Sequence, residues 1–386
     1  MATSVRLLNQ SHDLADSLNP SFKANYTTFC ENGCYFSIDS RYELEKVLGK
    51  GSYGTVCSAI DTRKSHPDAE YSRIAIKKVS NIFNKDILLK RAVRELKFMR
   101  HFKGHRNIVN LIDLDIVFNK PYDGLYCYQE LADLDLARVL YSNIQFSEFH
   151  IQSFIYQILT GLKYIHSADV IHRDLKPGNI LVTTQGTLKI CDFGLARGVN
   201  PRYFKHRSSQ ITNYVATRWY RAPELMLSEK RYTKAVDLWA VGCILAELYG
   251  RKPLFPGKNQ MDQIHCIVRV LGTPLPAVIN RNNWKFLLPP RPQYRVSEWS
   301  QLYPFASKDG QELIESLLQW DPEKRLSVHQ AISHRFIEPV RDSNSEALCE
   351  VFDFSFENRA TTLGELRELL EREVEMFKAE RKSAEM

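Results

Sequence analysis

Gly49-Lys50-Gly51-Ser52-Tyr53-Gly54-Thr55-Val56 stands between two extended runs. Glycines at such a turn let backbone N–H groups approach phosphate oxygens closely. Taken alone, a glycine hairpin without a ligand explains the run as well. It is not a P-loop, because no Lys-Ser/Thr follows, and it is not a dinucleotide fingerprint, because no helix opens after it. Further on, Ile74-Ala75-Ile76-Lys77 sets a lysine in a strand. Glu95 falls at the edge of an apolar helix face, four residues before Met99, where an acid is otherwise unwelcome. A Lys77–Glu95 pair explains both and aims the lysine at phosphate.

Three more motifs follow in order: His172-Arg173-Asp174-Leu175-Lys176-Pro177-Gly178-Asn179, then Asp192-Phe193-Gly194, then Ala222-Pro223-Glu224. Each triplet is common by chance; their order and spacing behind a glycine loop and a strand lysine are not. Over roughly residues 42–340 the chain resembles the eukaryotic protein kinases, motif by motif. The resemblance implies an α+β, bilobal protein-kinase fold: a small antiparallel β-sheet lobe with one helix, and a larger, mainly α-helical lobe. It also implies ATP and Mg²⁺ as cofactors, with Asp192 and Asn179 as metal ligands, both hard oxygen donors. Asp174 is then expected to orient the substrate hydroxyl and accept its proton, and Lys176 to meet the transferring phosphate. Thr217 is expected to tie Asp174 to the substrate-binding loop. Leu48 through Val56, Ala75, Lys77 and Leu181 are expected around ATP. Gln129 takes the gatekeeper position, Glu130 and Ala132 the adenine contacts, and Asp135 the ribose. Glu224 and Arg325 are expected as a structural pair, Asp237 as a brace, and His172 as a core residue. Cys191, directly before the metal aspartate, reads as a small apolar residue.

Thr212-Asn213-Tyr214 precedes Val215-Ala216-Thr217-Arg218-Trp219-Tyr220-Arg221-Ala222-Pro223-Glu224. A lone T-x-Y means nothing, but at this place it resembles the dual-phosphorylation lip of MAP kinases. The resemblance implies proline-directed Ser/Thr phosphorylation, activated by phosphate on Thr212 and Tyr214. Phosphate at Thr212 is expected to meet Arg94, Arg173 and Arg197, and phosphate at Tyr214 to meet Arg218 and Arg221; such arginines repel one another until an anion arrives. The T-N-Y lip and the runs Asn81 to Met99 and Tyr122 to Leu131 are closest to the fungal sporulation branch of the family, which implies a role in sporulation and spore-wall formation. Asp342 and Glu346 match an acidic docking patch in which Ser345 replaces a second acid. Asn213 stands where an acidic residue is usual, and Gly178 where a serine is. Implied partners are proteins with Ser/Thr-Pro sites, an upstream activating kinase and docking-motif proteins, with a monomeric chain in cytoplasm or nucleus. A cyclin-dependent-like kinase is the nearest competitor, and a pseudokinase or scaffold the rival of another class. The intact set Lys77, Glu95, Asp174, Lys176, Asn179 and Asp192 speaks against the latter.

The elements that must position these residues follow from periodicity. Extended runs alternate with turns from Tyr42 to Val79; Leu88, Ala92, Leu96 and Met99 then mark a helix face. Strands are expected at Ile108 to Val117 and Leu125 to Leu131, and a hairpin at 180–182 and 187–191. Ser147 caps a helix striped by Ile151, Phe154, Ile155, Ile158, Leu159, Leu162 and Ile165. Ala235 to Gly250 is a buried core helix, too short to span a bilayer. Thr362-Leu363-Gly364-Glu365 has capping-box spacing and opens a helix with Leu363, Leu366, Leu370, Val374 and Phe377 on one face. The expected organisation is a loosely ordered extension at 1–40, an N-lobe at 41–133, a C-lobe at 134–340 with an insert near 275–305, and a C-terminal extension at 341–386 packing back on the core.

At 386 residues, 44% hydrophobic and 25% charged, the chain buries a large core without staples, which excludes a disordered or disulfide-dependent protein. Eight scattered cysteines form no zinc spacing; Cys30 and Cys34 alone make no metal site. The net charge of +7 is modest. Residues 73–106 hold eleven Lys/Arg against Asp86 and Glu95, an excess of nine, so the rest of the chain is slightly acidic. That cluster reads as a solvated helix face with Arg94 and Lys77 handling phosphate, rather than as a nucleic-acid surface.

Overall fold

The structure, a computed structural model, describes residues 26–31, 33–51, 54–63, 72–199, 217–227, 233–282, 284 and 298–385. Its described residues divide into two units: one holds the chain up to Lys103, Asn110–Leu131 and everything from Glu357 onward; the other holds Gly104–Val109 and Ala132–Phe356.

In the first unit, Tyr26–Glu31 (β1) and Cys34–Asp39 (β2) form an antiparallel hairpin, where the sequence pattern suggested a loosely ordered extension to residue 40. The physical reason is apolar burial: Cys34, Phe36 and Ile38 share one cluster with Tyr42, Ile74, Ile76, Tyr126 and Tyr128. Gly33, at φ 71°, supplies the left-handed step of the turn. Tyr42–Gly51 (β3), Gly54–Asp61 (β4), Arg73–Val79 (β5), Leu111–Val117 (β6) and Gly124–Glu130 (β7) make an antiparallel sheet in the order β3-β4-β5-β7-β6. Between β5 and β6 runs α1, Asp86–His101, which buries Leu89, Ala92, Val93, Leu96 and Met99; its N-cap residue, Lys85, makes no side-chain cap bond.

The C-terminal helix, Leu363–Glu385, belongs to this unit too and packs on α1 and β6. Leu366, Leu370, Val374 and Phe377 are buried, whereas Leu363, expected on the same face, is 40% exposed because it lies in the first turn. Its start is capped as the spacing predicts: the Glu365 amide donates to Thr362 Oγ1 at 3.3 Å, and the Glu365 carboxylate accepts from the Thr362 amide at 2.9 Å. Residues 341–356 remain with the second unit, so the expected C-terminal extension is divided between the two.

The second unit opens with Leu134–Asp135 (β8) and the short helix Leu136–Leu140 (α2). The long helix Glu148–Ser167 (α3) starts at Ser147, whose side chain accepts from the His150 amide in a capping box. Then come Val170–Ile171 (β9), Ile180–Val182 (β10), Leu188–Ile190 (β11) and Arg197–Gly198 (β12), paired as β11-β10-β8 and β12-β9. Pro223–Leu227 (α4) precedes Ala235–Gly250 (α5), which is apolar nearly all round and packs against α3 and the helix Lys308–Leu317. Two acids, Asp237 and Glu247, are fully buried in α5. Among the described residues no helix is long and apolar enough to cross a membrane.

Candidate active site

In the first unit the glycine turn is closed by the pair Gly51↔Gly54. A Cβ on Gly54 would lie 2.0 Å from the Lys78 carbonyl oxygen, so only glycine fits where β4 presses on β5. Ser52 and Tyr53 lie outside the described residues. Lys77 in β5 donates to Glu95 Oε1 at 2.5 Å across to α1, the pair expected from the sequence. Ala75 is buried beside it, Thr55 is buried, and Leu48 and Val56 are half-buried. Gln129 near the end of β7 donates from its amide to Met99 Sδ at 2.9 Å, joining the gatekeeper position to α1. Glu130 accepts the Asn110 amide at 2.6 Å through its carboxylate.

The second unit carries a polar cluster of its own. Asp174 Oδ2 accepts from Lys176 Nζ at 2.7 Å and from Asn179 Nδ2 at 2.9 Å. With its nitrogen committed there and to the Asp174 carbonyl (2.8 Å), Asn179 keeps an amide oxygen as a hard donor. Asp192 adopts a left-handed backbone (φ 66°) at the end of the β10–β11 hairpin, and Arg173 does the same (φ 68°). Two non-glycine residues in that region mark backbone held by its surroundings. For Arg173 the holder is Asp237: its carboxylate accepts the His172 amide and the Arg173 amide, each at 2.8 Å, and contacts His166 Nε2 at 2.9 Å. Burial raises its pKa, but the His166 hydrogen bond and the neighbouring histidines outweigh that and hold the carboxyl below its ordinary value. His172 is fully buried, with its ring on the Cys191 carbonyl (3.0 Å) and against Phe193, a core residue as expected.

Thr217 lines one small crevice with Asp174, Arg173, Tyr220 and Arg221. Glu224 and Arg325 form a buried bidentate pair at 2.6 and 2.7 Å, the guanidinium lying over Trp239. Sequence reasoning missed Glu247, which accepts from Tyr220 at 2.6 Å and Tyr141 at 3.0 Å; burial pushes its carboxyl up against those bonds. An acid in an otherwise apolar stretch of helix, ten residues after Asp237, was the available signal.

Four expectations change in the structure. Asp135, expected at a ribose, caps α2 by accepting the Arg138 amide at 2.8 Å, because it stands at the N-cap position. Arg94, expected to face a lip phosphate, is held by Glu357 through Nε and through Nη2 at 2.8 Å. The basic face of α1 is not solvated: Lys97 and Arg100 are taken by Glu373, and Arg100 also by Glu380 at 2.6 Å. Glu346, expected as an open docking acid, has its side chain 3% exposed and is held by Lys163 at 2.8 Å and Arg341 at 2.7 Å. Asp342 caps the Asn344 amide, and Ser345 bonds Tyr156. Arg197 pairs with Ile171, two residues before Arg173, in the β9–β12 bridge, while Thr212 and Tyr214 lie outside the described residues.

A carboxylate fixed beside a lysine and two oxygen donors in the second unit, and a strand lysine braced by a helix glutamate in the first, are each the kind of group that phosphoryl transfer uses. Residues 42–337 match the protein kinase domain. The chain belongs to the protein kinases, and within them to the mitogen-activated protein kinases: it is 56% identical to the sporulation-specific mitogen-activated protein kinase SMK1 of Saccharomyces cerevisiae, over 91% of this chain and 92% of that one. It is also 46% identical to SLT2/MPK1 of the same yeast (89% of this chain, 71% of that one) and to MKC1 of Candida albicans (89% and 72%). It is a serine/threonine protein kinase that uses ATP and a divalent cation.

Proposed function

We propose that this kinase is proline-directed, is switched on by phosphorylation of Thr212 and Tyr214, and acts in sporulation. The observation that carries the catalytic reading is Asp174, held by Lys176 and Asn179 while Asp237 fixes the backbone on either side of His172. Asp174 accepts the proton as the substrate Ser/Thr oxygen attacks the γ-phosphorus, and the ADP β-phosphate oxygen leaves with the electron pair of the broken bond. Lys176 stabilises the charge on the transferring group. Asn179 and Asp192 would hold Mg²⁺; the donor set suits it, since two protein oxygens leave positions for phosphate and water. Bound there, the cation neutralises phosphate charge. Lys77, set by Glu95, grips the phosphates from β5.

Activation rests on the T-N-Y lip and on Arg173, Arg197, Arg218 and Arg221, guanidiniums of the kind that a phosphate on the lip can engage. The sporulation role rests on the name of the 56% identical yeast relative. An upstream kinase and proteins with Ser/Thr-Pro sites are the partners, and cytoplasm or nucleus the place. The test is an assay of purified enzyme on a Ser-Pro peptide and its Ser-Ala analogue, with phosphosite mapping of the enzyme. A strong preference for Ser-Pro, and phosphate on Thr212 and Tyr214 in the active fraction only, is expected. Equal rates on both peptides would remove proline direction; full activity without phosphate on either residue would remove the switch.

A further inference from the structure

A cavity of about 420 Å³ lies in the first unit between the β1–β2 hairpin, β6 and the C-terminal helix. Its size is in the usual range for a site that takes one small organic molecule. Much of its wall is what this chain adds to the kinase match: Tyr26 and Ser37 precede residue 42, and Val374, Glu375 and Lys378 follow residue 337. Ile116, Val117 and Val374 supply an apolar side, which Phe118, 41% exposed, continues toward solvent. Two buried polar groups line the same space. Asp115, 3% exposed, accepts the Tyr26 hydroxyl and, at 2.6 Å, Lys378 Nζ, which leaves lone pairs on its carboxylate. Ser37, 2% exposed, donates its backbone amide to the Tyr126 hydroxyl, but its own hydroxyl has no hydrogen-bond partner among the described residues. A buried hydroxyl left unpaired is costly, so one that lines a cavity is a seat for a polar atom. Charge then selects the ligand. Asp115, Glu371 and Glu375 line the cavity against one cation, Lys378. Glu371 is shared with Arg367 at 3.0 Å in an exposed pair, and Glu375 is exposed with no ion-pair partner among the described residues. An anion is repelled there, and a neutral apolar molecule leaves the Ser37 hydroxyl and the carboxylate lone pairs unused. An ammonium has three donors and no acceptor, the complement of what these residues present.

We propose that this cavity binds a small primary amine with an apolar body. The ammonium donates to Ser37 Oγ and to the Asp115 carboxylate, and the hydrocarbon part lies along Ile116, Val117 and Val374. Such a site is independent of phosphoryl transfer and stands whether or not Lys77 meets phosphate. The test titrates the full chain, carrying labelled methyl groups, with 4-phenylbutylamine, 4-phenylbutanol and 4-phenylbutyrate, probes of one shape and different charge. Saturable NMR shifts at the Ile116, Val117 and Val374 methyls are expected with the amine. The alcohol should bind about tenfold more weakly, the worth of a hydrogen bond that involves a charged group, and the butyrate should not bind. Ser37→Ala, which deletes an unpaired hydroxyl and so spares the fold, should weaken the amine about tenfold on the same ground, with the Tm unchanged. Glu375→Gln, at an exposed position, should weaken it about two- to fivefold, as loss of an exposed ion pair does. Equal affinity for amine and alcohol, or an unchanged amine affinity in Ser37→Ala, would overturn the site. So would amine shifts at Val56 and Ala75 in place of Val117 and Val374, which would put the probe among the residues expected around ATP.

Discussion

The two halves of the catalytic machinery are fixed by different physics. Around Asp174, one buried carboxylate, Asp237, receives two backbone amides and a histidine, and these bonds set the backbone on both sides of the buried His172. Around Lys77, the helix carrying Glu95 is held by side-chain ion pairs that keep some contact with solvent, such as Lys97–Glu373 and Arg100–Glu380. A buried anchor is insensitive to salt and intolerant of substitution; a ladder of partly exposed pairs is screened by salt and tolerates the loss of any one rung. The surroundings of Asp174 rest on a buried anchor, and those of Lys77 on partly exposed ion pairs.

The largest effect expected is at the reacting carboxylate. Asp174→Asn should lower kcat about 10²–10⁴-fold, the usual worth of a positioned acid–base group, with the KM for ATP little changed; peptide phosphorylation at the wild-type rate would unseat Asp174 as the base. Next is the anchor itself. Asp237→Ala strands the His172 and Arg173 amides and should cost roughly 2–5 kcal/mol in urea unfolding, whereas a loss below that range would erase the contrast with the ladder. Smaller still is Asp135→Ala, which removes the cap of α2 and should cost about 1 kcal/mol; the KM for ATP in this variant reports whether the cap residue also touches the ribose. Salt compares the halves directly. Moving from 0.1 to 1 M shortens the Debye length from about 10 to about 3 Å, so amide exchange should quicken over residues 86–101 and not over 170–180.

The smallest effect concerns pH. The backbone amides of Thr362 and then Thr361, helped by their hydroxyls, hold the Glu365 carboxyl down to about 2, below its ordinary 4.5. A depressed folded value means the cap is complete above 4.5 and is lost as the pH falls from 4.5 toward 2. Titration of the Glu365 carboxyl by NMR should give a midpoint near the lower figure, and a midpoint near 4.5 would show the cap open.

Much of this was legible in the residues. Lys77, Glu95, Asp174, Asn179, Asp192 and the Glu224–Arg325 pair were readable because their chemistry ties them to short motifs at fixed spacing. The core helix Ala235–Gly250 and the cap at Ser147 were readable because burial and capping are local. What escaped depends on what lies opposite in space. The row of charges on α1 announces itself, but nothing in its periodicity says that Glu357 and Glu373 face it. Glu346 read as a docking acid because it matches the family's acidic patch, and the fold closes Lys163 and Arg341 over it. The β1–β2 hairpin had a signal, Asn32-Gly33 between runs rich in Tyr and Phe, masked by the polar composition around it.

Asp115 on β6 accepts the Tyr26 hydroxyl with one carboxylate oxygen and Lys378 with the other. A single side chain thus fastens the hairpin before the kinase match and the helix after it to the same strand. The recognisable domain, residues 42–337, therefore leaves out elements at both ends that pack within the first unit. A fragment trimmed to those bounds would bare Tyr42, Tyr126 and Tyr128 where Phe36 and Ile38 had covered them, and would leave α1 without its counter-charges. Loosening either end should loosen the other, and expression boundaries chosen from the family match would cut through the core of the smaller unit.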